Sequence, residues 1–476
     1  MLKSKTILIS EGITLLLIIL ISTLSLPLSY GIQLALGLLL AYAIPRIAYS
    51  RQSHYCTAGN AVLIVLWLML SVLTVYYVGR CTMWGKLSLD SPHLWGDAHR
   101  YWRVAESIYH DTPYNRQYPY LGLPAMIMAS WALFGKSLIS PVCVNVCLSI
   151  SSVVLMGNVT IHLLANRTRQ SSAWIASMAM AATSSLFYLL SHSMQVLKEP
   201  LLAFGVATCA LAVARIIERR NSLNLFAWRE IGIFSIGALI MAATRPPYVW
   251  AMIAGALLCA IYRRPRASAL AMTAIGVALY GAADFISQWF TPRVLLAVVD
   301  SSHAEGFSSQ FIVGPSQIPY YNIIGDYFTY PWWKKLLLLP FTSMVQYVIP
   351  FPWTFGSINI DEVFPRISLG AYIVGGTALF YIFFLSWRRN SLLTTFTAWA
   401  ILCFVMPAYA VAGSVPRYVT PFQLLFVPMA IYVFAMLVEH QHRKKFTIFA
   451  VAYALVLAVT LAACYSAQAD AMSQYA

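Results

Sequence analysis

The stretch Trp95-Gly96-Asp97-Ala98-His99-Arg100-Tyr101-Trp102-Arg103-Val104-Ala105-Glu106 sets a carboxylate just ahead of apolar residues at 98, 101, 102, 105, 108 and 109. That is helical spacing, and it predicts an interfacial helix with one lipid-facing stripe. Asp97 then stands at the helix start, where its carboxylate can take the proton of an acceptor hydroxyl as general base. The plainer reading makes Asp97 an N-cap that satisfies free backbone N–H groups, and the two roles are compatible. A second carboxylate comes in Ser191-His192-Ser193-Met194-Gln195-Val196-Leu197-Lys198-Glu199-Pro200, where Pro200 suits a first helical turn. As a bare surface ion pair, Lys198 and Glu199 would contribute little.

Two arginines fall in short proline-bounded turns, Arg245 in Thr244-Arg245-Pro246-Pro247-Tyr248 and Arg417 in Val415-Pro416-Arg417-Tyr418-Val419-Thr420-Pro421. Arginines at helix ends serve as interfacial anchors. Together with Lys198 they also describe a site for phosphate or pyrophosphate, which guanidinium groups bind in a bidentate fashion. His99, Tyr101, Tyr118, Tyr248 and Tyr418 flank these charges and are the expected substrate contacts. Two carboxylates with three cations suit transfer of a group from an anionic lipid-linked donor to a hydroxyl. They suit equally the binding and movement of an anionic substrate.

The elements that must carry these residues are membrane helices. Of 476 residues 60% are hydrophobic and only 10% charged, against roughly 25% charged in soluble domains. Apolar runs near the ~20 residues of a membrane crossing occupy 7–27, 31–49, 60–79, 139–165, 171–190, 199–216, 230–244, 247–262, 267–289, 367–387, 391–411, 418–438 and 446–466. Barrel strands would instead alternate over ~10 residues. The expected fold is an all-α polytopic membrane protein of about thirteen transmembrane helices.

With the N-terminus in the cytoplasm, the basic residues sort themselves. The cytoplasmic ends collect Lys3, Lys5, Arg46, Arg51, Arg167, Arg169, Arg215, Arg219, Arg220, Arg229, Arg263, Arg264, Arg266, Arg388, Arg389, Arg443, Lys444 and Lys445. Only Glu218, Glu230 and Glu439 oppose them there, so the whole net charge of +15 sits on one side, as the positive-inside rule requires. The charge reports topology and excludes a nucleic-acid partner.

Five regions follow: N-terminal spans over 1–80, a first external loop over 81–138 carrying Asp97, a core over 139–289, a second external loop over 290–366, and C-terminal spans over 367–476. Segments 118–134 and 336–353 are apolar but short or proline-broken, and are expected to be re-entrant or interfacial on the external side. The first span is expected to be a retained helix, since no small-residue cleavage site follows Lys3 and Lys5. The eight cysteines show no ligand spacing and mostly lie in apolar runs. Glu11 and Asp284 are the intramembrane acids, with no evident partner in the sequence. No internal repeat is visible.

The order of these motifs resembles the GT-C superfamily of membrane glycosyltransferases, which use polyprenyl-phosphate-linked sugars. The likeness rests on Asp97 with Tyr101 and Ala105, on Tyr118-Pro119-Tyr120-Leu121-Gly122-Leu123-Pro124 and Leu133-Phe134-Gly135, on Glu199, on Arg245-Pro246, and on Arg417-Tyr418 with Pro421. It covers about residues 90 to 440. Three spans precede the acidic loop where the family usually has one, and the second acid is Glu199 beside Lys198. Trp332-Trp333 continues as Lys334-Lys335, so the WWDxG motif of oligosaccharyltransferases does not occur there, and no large soluble domain is expected after the last helix.

The resemblance implies a polyprenyl-phosphate sugar held by Lys198, Arg245 and Arg417, with Asp97 as general base on the hydroxyl of a glycan, lipid or protein. Direct attack on the anomeric carbon implies inversion, with Glu199 positioning the acceptor. The external loop at 290–335, with Asp300, Glu305 and Asp326, is expected to act as an acceptor lid. No cofactor is required by this chemistry, although two carboxylates beside a phosphate leave room for Mg²⁺ or Mn²⁺. The expected location is a bacterial inner membrane with the site facing the periplasm. The competing readings are a polysaccharide polymerase or ligase, a lipid or glycan transporter, which predicts charged residues within the spans, and a structural subunit.

Overall fold

A computed structural model of the chain describes residues 2–110, 121–218, 227–262, 266–290, 330–345, 378, 381, 392–411, 420–439 and 443–475. Every regular element among them is a helix. In order these are α1 (Leu2–Ser25), α2 (Leu28–Ser50), α3 (Thr57–Cys81), α4 (Gly96–Tyr109), α5 (Gly122–Phe134), α6 (Ile139–Leu164), α7 (Ser172–Ser184), α8 (Phe187–Ser193) and α9 (Glu199–Glu218). The second half holds α10 (Trp228–Thr244), α11 (Pro247–Tyr262), α12 (Arg266–Phe290), α13 (Trp332–Val345), α14 (Leu392–Val411), α15 (Thr420–Gln423), α16 (Val427–Val438) and α17 (Arg443–Tyr475).

Six helices among the described residues are long and apolar enough to cross a membrane: α1, α2, α3, α6, α9 and the stretch Pro421–Val438. Shorter apolar helices occupy Gly122–Phe134, Tyr248–Ile261, Ala267–Ala282 and Leu393–Val405. The chain is an integral membrane protein. The expected count of thirteen spans is not reached among the described residues, and the span expected at 367–387 lies almost wholly outside them. The span expected at 171–190 is broken instead into α7 and α8. Thr183 and Ser184 donate to the carbonyls of Ala179 and Met180, and Ser185 to that of Ala182. Such back-bonding competes with the helical ladder, and the helix stops where three hydroxyl residues follow one another.

The helices at the centre and the edge differ in the way lipid as solvent demands. Of the spanning stretch of α9, 83% is buried; of α1, 22%. On α1 the side chains of Leu8, Ile9, Ile13, Leu16, Leu20 and Leu24 point outward, which is tolerable only in hydrocarbon. α9 packs on α6 and α10 through small residues. A Cβ on Gly237 would come within 2.6 Å of the Gly205 carbonyl oxygen and 2.7 Å of Cys209 Sγ. Close backbone approach through small residues replaces the hydrophobic effect as the packing force between membrane helices. α14 locks onto α11 in the same manner, with the Trp399 indole over Gly255 and its Nε1 donating to the Ala251 carbonyl at 2.7 Å.

The ends expected on the cytoplasmic side meet one another. His162 at the end of α6 lies 2.5 Å from Glu218 at the end of α9, and Arg215 Nε donates to its other ring nitrogen at 3.3 Å. Glu439, after α16, accepts from the Arg169 backbone N–H at 2.9 Å.

Glu11 does have a partner. Arg46 of α2 donates to its Oε1 at 2.6 Å and Tyr42 at 2.7 Å, and Arg46 reaches Tyr55 at 3.1 Å. The α1–α2 hairpin turns at Leu26-Pro27 so tightly that a Cβ on Gly31 would fall 2.7 Å from the Ser22 carbonyl oxygen. Antiparallel packing then carries Arg46 back alongside Glu11. Only the backbone of Asp284 is described.

Segment 118–134 forms α5, thirteen residues long, or about 20 Å at 1.5 Å per residue. That is short of the roughly 30 Å of hydrocarbon. α5 ends at Gly135, whose φ of +83° is open to glycine at little cost. Of the segment 336–353, the helix α13 starts earlier, at Trp332, and the part beyond Val345 lies outside the described residues.

Candidate active site

Asp97 lies in the first turn of α4, behind an N-cap position held by Trp95 (φ −118°, ψ 152°), which makes no side-chain cap hydrogen bond. The N-cap reading of Asp97 is therefore corrected. Its carboxylate stands among the free N–H groups of the first turn, where the positive end of the helix favours a negative charge. Its Oδ1 is 3.7 Å from Arg100 Nη1, with a side-chain exposure of 21%. Arg80, at the end of α3, holds the approach to this helix: its guanidinium sits 5.2 Å from the Trp95 ring. The loop is further pinned where the His93 N–H donates to the Cys81 carbonyl.

The apolar stripe of α4 faces protein, not lipid. Ala98, Tyr101, Trp102 and Ala105 are all buried, and Trp102 meets Trp131 of α5 edge-to-face at 4.8 Å. Glu106 bridges to Lys136, beyond the end of α5, at 2.9 Å. Apolar spacing gives a buried face but not its neighbour, and here α5 supplies the cover.

The burial of Tyr101 turns α4 toward α9. Lys198 Nζ donates to the Tyr101 hydroxyl at 2.8 Å and lies 5.5 Å from the ring centroid. Tyr101 is one turn beyond Asp97 on the same face of the helix. The bond thus joins the helix of the first carboxylate to the residue preceding the second. Glu199 opens α9, is only 2% exposed, and has an Oε2 with no hydrogen-bond partner among the described residues. The turn before it is held from α6, where Asn145 Nδ2 donates to the carbonyls of Gln195 (2.7 Å) and Leu197 (3.0 Å). Asn145 went unremarked in the sequence. Its signal was available, since a lone amide within an apolar span needs a polar partner.

Arg245 is the C-cap residue of α10, with its guanidinium carbon 5.1 Å from the Tyr248 ring centroid. Gly122 explains why α5 lies against this turn. A Cβ there would stand 2.7 Å from both the Ala243 carbonyl oxygen and Thr244 Oγ1, so only glycine permits the approach. We expect Gly122→Ala to force α5 away from α10, to destabilise the protein by about 1–3 kcal/mol and to lower its activity. Thermal unfolding in detergent checks this, and an unchanged midpoint would contradict it. Tyr248 in turn meets Phe422 of α15 at a tilt, with ring centroids 4.8 Å apart, and α15 packs against α8 and α9.

The structure therefore brings Tyr101 and Lys198 into contact, with Asp97 and Glu199 as their neighbours in the chain. It sets Arg245 and Tyr248 at the α10–α11 turn beside α5 and α15. His99 is two residues from Asp97, about 200° round the helix, and lies on another face. Tyr118, Arg417 and Tyr418 lie outside the described residues, as do Asp300, Glu305 and Asp326. Among the described residues no three His, Cys, Asp or Glu side chains gather as metal ligands.

No family model matches the chain, and no curated protein matches its sequence significantly. Among solved structures it is similar to the oligosaccharyltransferase AglB of the archaeon Archaeoglobus fulgidus in complex with an inhibitory peptide and a dolichol-phosphate. The identity is 16% and the TM-score 0.47, over 88% of this chain and 56% of that one. It is also similar to an Archaeoglobus fulgidus oligosaccharyltransferase in complex with Zn and sulfate, at 12% identity and TM-score 0.46, over 86% and 52%. The chain spans about half the length of either.

Proposed function

We propose that this protein is a membrane glycosyltransferase that moves a sugar from a polyprenyl-phosphate donor to an acceptor hydroxyl at its external face. The observation that carries the reading is the Lys198–Tyr101 hydrogen bond. It draws a carboxylate-bearing helix and the cationic, carboxylate-bearing mouth of α9 to one place. Few charged residues lie within the spans, which weighs against a transporter, and one of them, Glu11, is paired with Arg46.

In the reaction, Asp97 accepts the proton of the acceptor hydroxyl as its oxygen attacks the anomeric carbon. The bond from that carbon to the phosphate oxygen breaks, and polyprenyl phosphate leaves. Lys198 and Arg245, with Arg417, meet the charge that grows on the leaving phosphate; fixed cations in a dry site act most strongly on charge that develops during reaction. A base that activates the acceptor, and does not itself attack the sugar, gives inversion in one step.

Arg245→Ala is expected to weaken binding of the lipid-linked donor about tenfold or more, the range for one charge-assisted hydrogen bond. The acceptor's KM should stay near the wild-type value, and Arg245→Lys should recover only part of the loss, because an ammonium is a point charge. Steady-state kinetics with each substrate varied in turn decides it; equal loss toward both substrates would remove Arg245 from the donor site. Mass analysis of the product, with NMR for its anomeric configuration, tests the function itself. Growth by single inverted sugars supports it, and growth by whole oligosaccharide blocks would make the protein a polymerase or ligase.

A further inference from the structure

Gln423, the last residue of α15, is 2% exposed, and neither its Nε2 nor its Oε1 has a hydrogen-bond partner among the described residues. Two more buried groups at this end of the bundle share the condition. Glu199, also 2% exposed, leaves Oε2 unpartnered, and Asn145, fully buried, spends Nδ2 on the turn before Glu199 and leaves Oδ1 unpartnered. The short helix α15 packs on α8 and α9, and the ring of Phe422, beside Gln423, lies against that of Tyr248. Burying polar atoms without partners is unfavourable, and nearly all such atoms in native proteins are satisfied. Several at one end of a bundle point to a ligand that completes them.

The chemistry of the atoms selects that ligand. Glu199 Oε2, Asn145 Oδ1 and Gln423 Oε1 accept hydrogen bonds, whereas Gln423 Nε2 donates them. A phosphate offers acceptors and negative charge, which three acceptor oxygens oppose. A sugar hydroxyl donates and accepts at once. We propose that Gln423, with Glu199 and Asn145, seats the neutral hydroxylated ring of a hexose, that of the lipid-linked donor, and that Gln423 is a specificity-determining residue. A ring carrying a carboxylate, as in a uronic acid, is turned away by Glu199. This rests on the donor reading given above and divides the site: the cations hold the phosphate, and the neutral polar groups read the sugar.

The test uses the full chain in nanodiscs, as wild type and Gln423→Met. The ligands are bare polyprenyl phosphate and its glucose, galactose, mannose and glucuronic acid conjugates, with dissociation constants measured for each. Wild type is expected to bind at least one neutral hexose conjugate about tenfold tighter than the bare lipid, the worth of one or two good hydrogen bonds. The glucuronic acid conjugate should gain nothing. Gln423→Met should erase the hexose advantage while leaving affinity for the bare lipid unchanged. Without ligand its melting temperature should equal or exceed that of wild type, because an apolar side chain of similar length removes an unpaired amide. Hexose conjugates that bind wild type no tighter than bare lipid would overturn the sugar seat while leaving the phosphate site standing. An advantage that survives Gln423→Met, or a variant that melts lower, would also overturn it. Binding of no lipid at all, bare or conjugated, would overturn the donor reading and this inference with it.

Discussion

Asp97→Asn is expected to lower sugar transfer by about 10²–10⁴-fold, the usual contribution of a general base, with donor binding little changed. The substitution keeps the shape of the side chain and its place in the first turn of α4. It removes only the ability to take a proton and the negative charge beside the helix N-terminus. Since Trp95 holds the N-cap position, folding does not depend on Asp97 as a cap, and the melting temperature should move little. Single-turnover transfer with donor bound in advance separates chemistry from binding. Undiminished transfer would move the role of base to Glu199 or to an arginine-centred mechanism. A variant that melts far lower would show the carboxylate to be structural.

The second large effect concerns stability. Arg46→Met is expected to destabilise the protein by about 1–3 kcal/mol, because it leaves the partly buried Glu11 without its cation. Arg46 donates to Glu11 at 2.6 Å and also reaches Tyr55, so its loss touches both the α1–α2 hairpin and the turn before α3. Replacing both members, Glu11→Met with Arg46→Met, should restore most of the stability, since apolar residues of similar volume often replace an ion pair without loss. A double-mutant cycle by thermal unfolding in detergent measures the coupling. Equal destabilisation by the single and double changes would mean that the pair is not the source.

What the sequence made legible were features local in the chain. The helix of α4 follows from apolar residues at 98, 101, 102 and 105, and the shortness of α5 from the distance between Gly122 and Gly135. The face of α4 was not legible in the same way, because an apolar stripe reads alike whether lipid or Trp131 covers it. Glu11 looked unpartnered because Arg46 is in the next helix, although two antiparallel helices place residues almost equally far from their turn side by side. The break between α7 and α8 was written in Thr183-Ser184-Ser185, but a window of mostly apolar residues hides three hydroxyls. At the site, residue types and order pointed to Asp97, Lys198, Glu199 and Arg245. The Tyr101–Lys198 bond and the hold of Asn145 on the turn before Glu199 join residues 97 and 50 or more positions apart, a separation that only the packed bundle closes.

The most direct test of the central claim is the release of polyprenyl phosphate, measured together with sugar incorporation, from a panel of polyprenyl-phosphate sugars supplied to purified wild-type protein in nanodiscs with lipid-extract acceptors. The account predicts that one donor is consumed, with one polyprenyl phosphate released for each sugar found on an acceptor hydroxyl. Failure to release polyprenyl phosphate from any donor, or release without a glycosylated acceptor, would contradict it.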